Sequence, residues 1–295
     1  MFNFNNINKN LSNNDINILY HFGIDTSMNL KEIFNNITHV IFTRSKGGAR
    51  ELTHSLFQTV YNIDQNILCL PLFKTERFHL YKVNSIIVVS YGYGAPSMLI
   101  CLNEIFKLLF YINMLNAKII MLGDCNSIDL PLGTVIVNNK FLNNRFEEKM
   151  DFIECGNNYT YSTILNSQLM VELIDFSNSY KDSKVEIGAL LSTFDFFEEQ
   201  GRLDGFLCPD YSQDQINDFF KLVKNQNIKC FDTVSLEFAA FCNHINLNAC
   251  VINYVVNNHK HDVHHDQEDY NNLISKNAMF KFVTKYIEST LGSKK

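Results

Sequence analysis

The chain has no tryptophan, and only 4 prolines and 12 glycines among its 295 residues. So few breakers exclude a proline- or glycine-rich linker and a collagen-like repeat. Its 8 cysteines form no C-x-x-C pair and no zinc-like spacing, which argues against a redox dithiol or a zinc knuckle. A chain this long can bury a core without disulfide staples. Cys69, Cys101, Cys242 and Cys250 stand in apolar surroundings and read as small core residues. A reducing, cytoplasmic setting is the simplest expectation. Excess positive charge is missing too. Lys and Arg number 25 against 31 Asp and Glu, a net charge of −6, so nucleic acid is not expected as the main partner. The longest apolar stretch, Met98 to Leu115, is interrupted by Asn103, Glu104 and Lys107 and predicts no membrane span. The opening MFNFNNINKN has neither the apolar core nor the cleavage site of a signal peptide. No cofactor motif is present, and none is expected to be needed.

What is present is a series of short apolar runs ending in polar turns. Ile37 to Phe42, Ser85 to Val89 and Lys118 to Leu122 (KIIML) predict strands buried on both faces. The second ends in SYGYGAPS and the third in GDCN. Between them MLICLNEIFKLLFYINML has helical spacing, which makes a βαβ unit. Further on, Val185 to Leu191 and Ala249 to Val256 read as strands. Gln213 to Val223, Leu236 to His244 and Ala278 to Thr290 read as helices. No repeat or linker divides them. The expectation is a disordered Asn-rich head over 1–12 and a single α/β domain over 13–295. In such folds ligands sit beyond the carboxyl ends of the strands.

One loop concentrates recognition chemistry. Ser192 to Gly205 reads STFDFFEEQGRLDG. Gln200 and Arg202 are two apart, and in an extended segment they point to one side. A carboxamide offers a donor beside an acceptor, and Arg offers a rigid donor fork. Together they match the edge of a pyrimidine dione, with Phe196 or Phe197 as a stacking face. A surface loop in which Arg202 pairs with Glu198 or Glu199 fits the same pattern. A second polar run, HKHDVHHDQED (His259 to Asp269), gathers four histidines. Such density can hold zinc or nickel. The expected reading of His259 to His265 is a solvated loop without metal.

The segment STFDFFEEQGRLDGFLC resembles the base-recognition signature of the animal-type uridine phosphorylases, in the nucleoside phosphorylase family. DINILYHFGIDT (Asp15 to Thr26), YKVNSIIVVSYGYGAPS (Tyr81 to Ser97), GDCNSIDLPLGTVIV (Gly123 to Val137) and FDTVSLEFAAFCNHINLNACVINYVVNN (Phe231 to Asn258) resemble further family blocks, in the family's order and spacing. The resemblance covers the chain from about Asn13 onward. It implies a three-layer α/β fold, with a mixed, partly barrelled sheet wrapped by helices, and a dimer as the working unit. It also implies a mobile loop over the base pocket at the histidine run.

Position by position, the resemblance makes Gln200, Arg202 and Phe196 the base ligands. Gln200 would read the N–H and carbonyl edge, and Arg202 the exocyclic oxygen that gains charge as uracil leaves. His21 and Arg77 match residues that the family lends to the neighbouring subunit's ribose and phosphate sites. The phosphate side departs from the pattern. Thr43 and Arg44 replace two glycines, Gly48 and Met121 replace arginines, and Asp124 with Cys125 replaces a Thr-Ser pair. Each lost arginine removes charge-assisted hydrogen bonds worth roughly 1.5–3 kcal/mol. An ionised Asp124 adds repulsion of about 1–4 kcal/mol at ~4 Å from an anion. On the ribose side, Asp232, Thr233 and Val234 replace Glu-Met-Glu, and Val234 cannot accept a hydroxyl hydrogen bond. A shifted alignment would recruit Ser235 or Glu237. Tyr91 and Tyr93 flank Gly92 in the ribose-side turn, where they fill the sugar pocket or stack on a ligand.

Three functions remain compatible. The first is a uridine phosphorylase relative with weak or absent activity, acting as a homodimer or as the partner subunit of an active paralogue. The second is a working enzyme whose phosphate site is rebuilt from Arg44, Lys46 and Arg50. The third is a protein that binds uracil or uridine without chemistry. All three leave phosphate as the doubtful ligand.

Overall fold

The computed structural model describes residues 3–12, 17–63, 68–73, 75–165, 167–203, 205–207, 210–258 and 268–292. The histidine run over 259–267 lies outside them. The head, expected to be disordered, forms short 3-10 turns over Phe4–Asn6 and Lys9–Ser12. It meets the folded body through Asn3 N–H to Ile245 O and Asn6 Nδ2 to His244 O.

A small β1 (Ile18–Leu19) and β2 (Ile24–Asp25) ribbon and the one-turn α1 (Leu30–Ile33) lead into the first core strand, β3 (His39–Thr43). Then follow α2 (Lys46–Tyr61), β4 (Leu80–Val83), β5 (Ile86–Ser90), α3 (Ala95–Tyr111) and β6 (Lys118–Ser127). The middle of the chain supplies β7 (Val135–Leu142), the β8 (Lys149–Glu154) and β9 (Asn157–Ser162) hairpin, α4 (Gln168–Ser179) and β10 (Val185–Ser192). The last third is α5 (Gln213–Asn225), β11 (Ile228–Asp232), α6 (Ser235–His244), β12 (Ala249–Asn258) and α7 (Glu268–Gly292).

Eight strands form one mixed sheet in the order β11-β10-β7-β12-β6-β3-β5-β4. Strands β5, β3, β6 and β12 run parallel, β4 runs against β5, and β7 runs against β12 but parallel to β10, which is itself parallel to β11. One further pairing, Phe231 of β11 against Asn126 of β6, joins the two ends of the β6-β12-β7-β10-β11 segment. That segment is therefore a partly closed barrel, as the resemblance implied.

The alternation of strand side chains explains the three layers. Val40 and Phe42 of β3, Ile87 and Val89 of β5, and Ile119 and Met121 of β6 face α3 and α6. Ile41, Ile86, Val88, Ile120 and Leu122 face α2, α4 and α7. Every position of β3 and β5 is buried, which is why these strands read as unbroken apolar runs. The cysteines read as core residues, Cys69, Cys101, Cys242 and Cys250, are all buried and free.

Closing the barrel demands close backbone approach. At Gly188 of β10 the register against β7 shifts, and a Cβ there would come within 2.1 Å of Lys229 Cγ. GDCN was expected to be a strand-end loop. It is instead strand, because Asn253 to Asn258 of β12 pair with Gly123 to Ser127. No helix of the described residues is long and apolar enough to cross a membrane.

Phe238 of α6 is fully buried and packs edge-on to Phe42, with ring centroids 6.1 Å apart. Phe238→Ala should lower unfolding stability by about 3–5 kcal/mol. Urea titration reads this as a lower midpoint at unchanged slope, and a loss below 1 kcal/mol would contradict the assigned packing.

Candidate functional site

The carboxyl ends of β3, β5, β6 and β11 converge with the loop after β10 around a cavity of about 420 Å³. Its wall includes Arg44, Tyr91 to Gly94, Asp124 to Asn126, Phe196, Gln200, Arg202 and Phe231 to Val234. This is the crevice position expected for a ligand in an open α/β sheet.

Gln200 and Arg202 both reach this cavity, by a route that differs from the expected extended one. Gln200 closes a 3-10 turn over Glu198–Gln200, and Gly201 follows in the left-handed region at φ 70°. Reversal at glycine brings the two side chains to one side. Two carboxylates brace the loop. Asp195 accepts from the N–H groups of Phe197 (2.8 Å) and Glu199 (3.3 Å). Glu199 accepts from those of Phe194 (2.7 Å) and Asp195 (3.2 Å). Glu199 is thus engaged by the loop's own backbone. The Arg202 guanidinium lies 4.6 Å from the Phe196 ring centroid and 5.5 Å from that of Phe197, a stacked arrangement that fixes a planar cation beside an aromatic face.

Gln200 is fully buried, and its neighbours orient its amide. Thr193 Oγ1 donates to Asp195 O at 2.7 Å, so it accepts from Gln200 Nε2 at 3.0 Å. Gln200 Oε1 then accepts from Asn126 Nδ2 at 2.8 Å. Each amide end keeps one further hydrogen-bonding position. Sequence reasoning did not single out Asn126. The available signal was its place two residues after Asp124, on the same strand face.

The other end of the cavity is a closed charge cluster. Arg44 pairs directly with Asp124, Arg44 Nη1 meeting Asp124 Oδ2. The guanidinium also lies 4.3 Å from the ring centroid of Tyr93. Beyond it, Thr43, Gly48, Asp124 and Lys276 border a second hollow of about 280 Å³. There Lys276 Nζ is held by Glu51 Oε2 at 2.5 Å. Each cation therefore has a carboxylate partner. The N–H of Gly48 is also engaged, bonding to the capping Ser45 Oγ at 2.9 Å. Of the cations in TRSKGGARE, Arg44 alone lines the cavity. Lys46 is exposed and bonds to the Glu76 carbonyl, and Arg50 is exposed. Met121 lies fully buried in the core and lines neither hollow.

In the turn after β5, Tyr91 is buried against the core, while Tyr93 is largely exposed. Burial pushes the Tyr91 phenol upward, with the Asp232 charge adding to the shift. Thr233 and Val234 line the cavity, and neither carries a carboxylate. Asp232 is committed locally. Its Oδ1 accepts from Ser192 Oγ (2.8 Å) and from the N–H groups of Val234 and Ser235 (3.2 Å each), and its Oδ2 accepts from Ser235 Oγ. Burial raises its pKa, and these hydrogen bonds work against the shift. Ser235 and Glu237 do not line this cavity. His21 and Arg77 also lie outside it. They meet at Phe78, with the His21 ring centroid 5.8 Å from that of Phe78 and the Arg77 guanidinium 5.4 Å from it. Glu104 holds His21 through its Nδ1 at 2.6 Å.

No protein-family model matches the chain. With human uridine phosphorylase 2 it is 30% identical over 243 residues, spanning 81% of this chain and 75% of that protein. The chain belongs to the uridine phosphorylase family. A Schistosoma mansoni protein named inactive uridine phosphorylase B is 29% identical over 247 residues, 82% of this chain and 80% of that protein. The fold agrees with a solved Schistosoma mansoni uridine phosphorylase in complex with uracil at a TM-score of 0.88 and 25% identity. That match covers 97% of this chain and 99% of the other. Members of the uridine phosphorylase family thus include one named as inactive and one solved with uracil bound.

Glu237 faces a small separate hollow of about 220 Å³, and its Oε2 is buried with no partner among the described residues. Burial, and then the charge of Asp232, pushes its carboxyl up to about 7 from an ordinary 4.5. The folded state therefore holds this proton more tightly than the unfolded chain. Its contribution to stability is greatest below pH 4.5 and is lost as pH rises through about 7. Glu237→Gln should raise the melting temperature at pH 8 and leave it nearly unchanged at pH 4.5. A shift of equal size at both pH values in scanning fluorimetry would reject the assignment.

Proposed function

We propose that this chain is a pyrimidine-binding member of its family whose own phosphorolysis of uridine is weak or absent. One observation carries the reading: the cation closest to the phosphate side, Arg44, already holds Asp124 inside the cavity. An incoming phosphate must displace that carboxylate or lie beside it. At ~4 Å a like charge costs about 1–4 kcal/mol, and each 1.4 kcal/mol is about tenfold in affinity. The absence of a carboxylate at Val234 removes a grip on the ribose as well. A rebuilt phosphate site draws no support from Lys46 or Arg50, which point elsewhere.

The base end supports binding of uracil or uridine. Gln200 is buried, oriented by Asn126 and Thr193, and set beside Arg202 and Phe196. His21 and Arg77, gathered at Phe78 outside the chain's own cavity, suit a dimer that lends them to a neighbour, either a second copy or an active paralogue. A cytoplasmic role in pyrimidine salvage accords with this chemistry.

Calorimetry with uracil should show binding that Arg202→Ala weakens at least tenfold. Saturating phosphate should accelerate uracil release from uridine little or not at all. Asp124→Ala frees Arg44 and should improve phosphate affinity about tenfold or more, read as phosphate-dependent release of uracil. Ordinary phosphorolysis by the unaltered protein would end this reading.

A further inference from the structure

We infer that the cavity activates water in place of phosphate, with Asp124 as the general base for hydrolysis of a pyrimidine nucleoside to the free base and free ribose. The inference rests on the reading above that the Gln200 end holds the base.

The geometry of one strand carries it. Asp124 and Asn126 are two apart on β6, so their side chains share a face about 7 Å apart along the strand. Asn126 touches the base-reading amide of Gln200 at 2.8 Å. A base docked at Gln200 and Arg202 therefore has its sugar running along this wall toward Asp124, over roughly the length of a pentose. Within β6, Asp124 is also less buried than the residues on either side of it, because it opens onto the cavity.

The two ends of the Asp124 carboxylate differ. Arg44 Nη1 holds Oδ2, and Arg44 is itself steadied on the Tyr93 ring. Oδ1 takes no hydrogen bond from the described residues. One oxygen is anchored and the other is left to accept a proton from water. Phosphate is an anionic nucleophile that needs cations and no base. Water is neutral, needs no cations, and gains from a base. The same Asp124 that repels the first nucleophile serves the second.

The step balances as uridine plus water giving uracil plus ribose. The C1′–N1 bond breaks, and its electron pair goes to the uracil ring, where Arg202 faces the developing charge. The water oxygen bonds to C1′ on the face opposite the departing base, as in glycoside hydrolysis with a carboxylate base. The water proton passes to Asp124 Oδ1 and then, through solvent, to the uracil anion. With no carboxylate at Val234 to steady the positive sugar, turnover is slow.

The test uses the full chain in phosphate-free buffer with uridine, quantifying uracil, ribose and ribose 1-phosphate by mass spectrometry. The expected result is equal uracil and free ribose. Asp124→Asn, purified in parallel, should reduce this at least a hundredfold, while calorimetry shows unchanged uracil binding. Uracil release that requires phosphate and yields ribose 1-phosphate overturns both this inference and the proposed weak phosphorolysis. No release in either buffer, with uracil still bound, overturns hydrolysis alone. Equal rates for the unaltered protein and Asp124→Asn also overturn it. Failure to bind uracil overturns the reading of the base end, and hydrolysis with it.

Discussion

The contacts at the two ends of the cavity, Arg44 with Asp124 and Asn126 with Gln200, depend on β6 remaining a strand past Leu122. Up to that residue it is an ordinary buried parallel strand between β3 and β12. Beyond it, pairing with β12 continues and β11 joins at Asn126. The extension closes the barrel and holds residues 123–127 in alternating register. Asp124 and Asn126 consequently line one wall, one meeting Arg44 and the other Gln200. A flexible loop would hold neither contact in a defined place, since fixing its backbone costs free energy that a regular strand has already met.

Two polar ends with opposite character result. The Gln200 end is neutral apart from Arg202 and is built from hydrogen bonds whose directions are fixed by one another, through Thr193, Gln200 and Asn126. The far end contains ions that satisfy one another, Arg44 with Asp124 and Lys276 with Glu51. Such pairs present little net field to an anion, whatever the number of cations. Between them, Asp232 is tied to α6 and to Ser192, so both of its carboxylate oxygens are engaged locally.

Much of the fold was legible. The β-branched runs ending near Phe42, Val89 and Leu122 are β3, β5 and the first half of β6, and the helices over 213–223 and 236–244 appear within a residue or two. Strand β7, the β8–β9 hairpin and α4 were not singled out. Their sequences mix polar residues such as Asn138, Asn139 and Lys140 into the strand, and their burial depends on neighbours distant in the chain. At the site, the nearness of Gln200, Arg202 and Phe196 was legible from one loop. The buried placement of Met121 was not, because the layers on both faces of the sheet decide it: Met121 faces the α3 and α6 layer and Leu122 the layer of α2, α4 and α7, so both are core at this depth of β6.

The sequence alone determined the alternation of apolar runs and amphipathic helices, the α/β class, the family, and which residue types stand at the base loop and at position 124. These are encoded in short windows, where periodicity and local hydrogen bonding act. Tertiary structure alone decided that GDCN is strand, that Arg44 turns into the cavity and is neutralised there, and that Asn126 steers Gln200 across 74 residues of chain. Each of these is a contact between distant segments. It exists only because the pairing of β6 with β3, β12 and β11 brings them within hydrogen-bond reach, and no local preference of the chain specifies it.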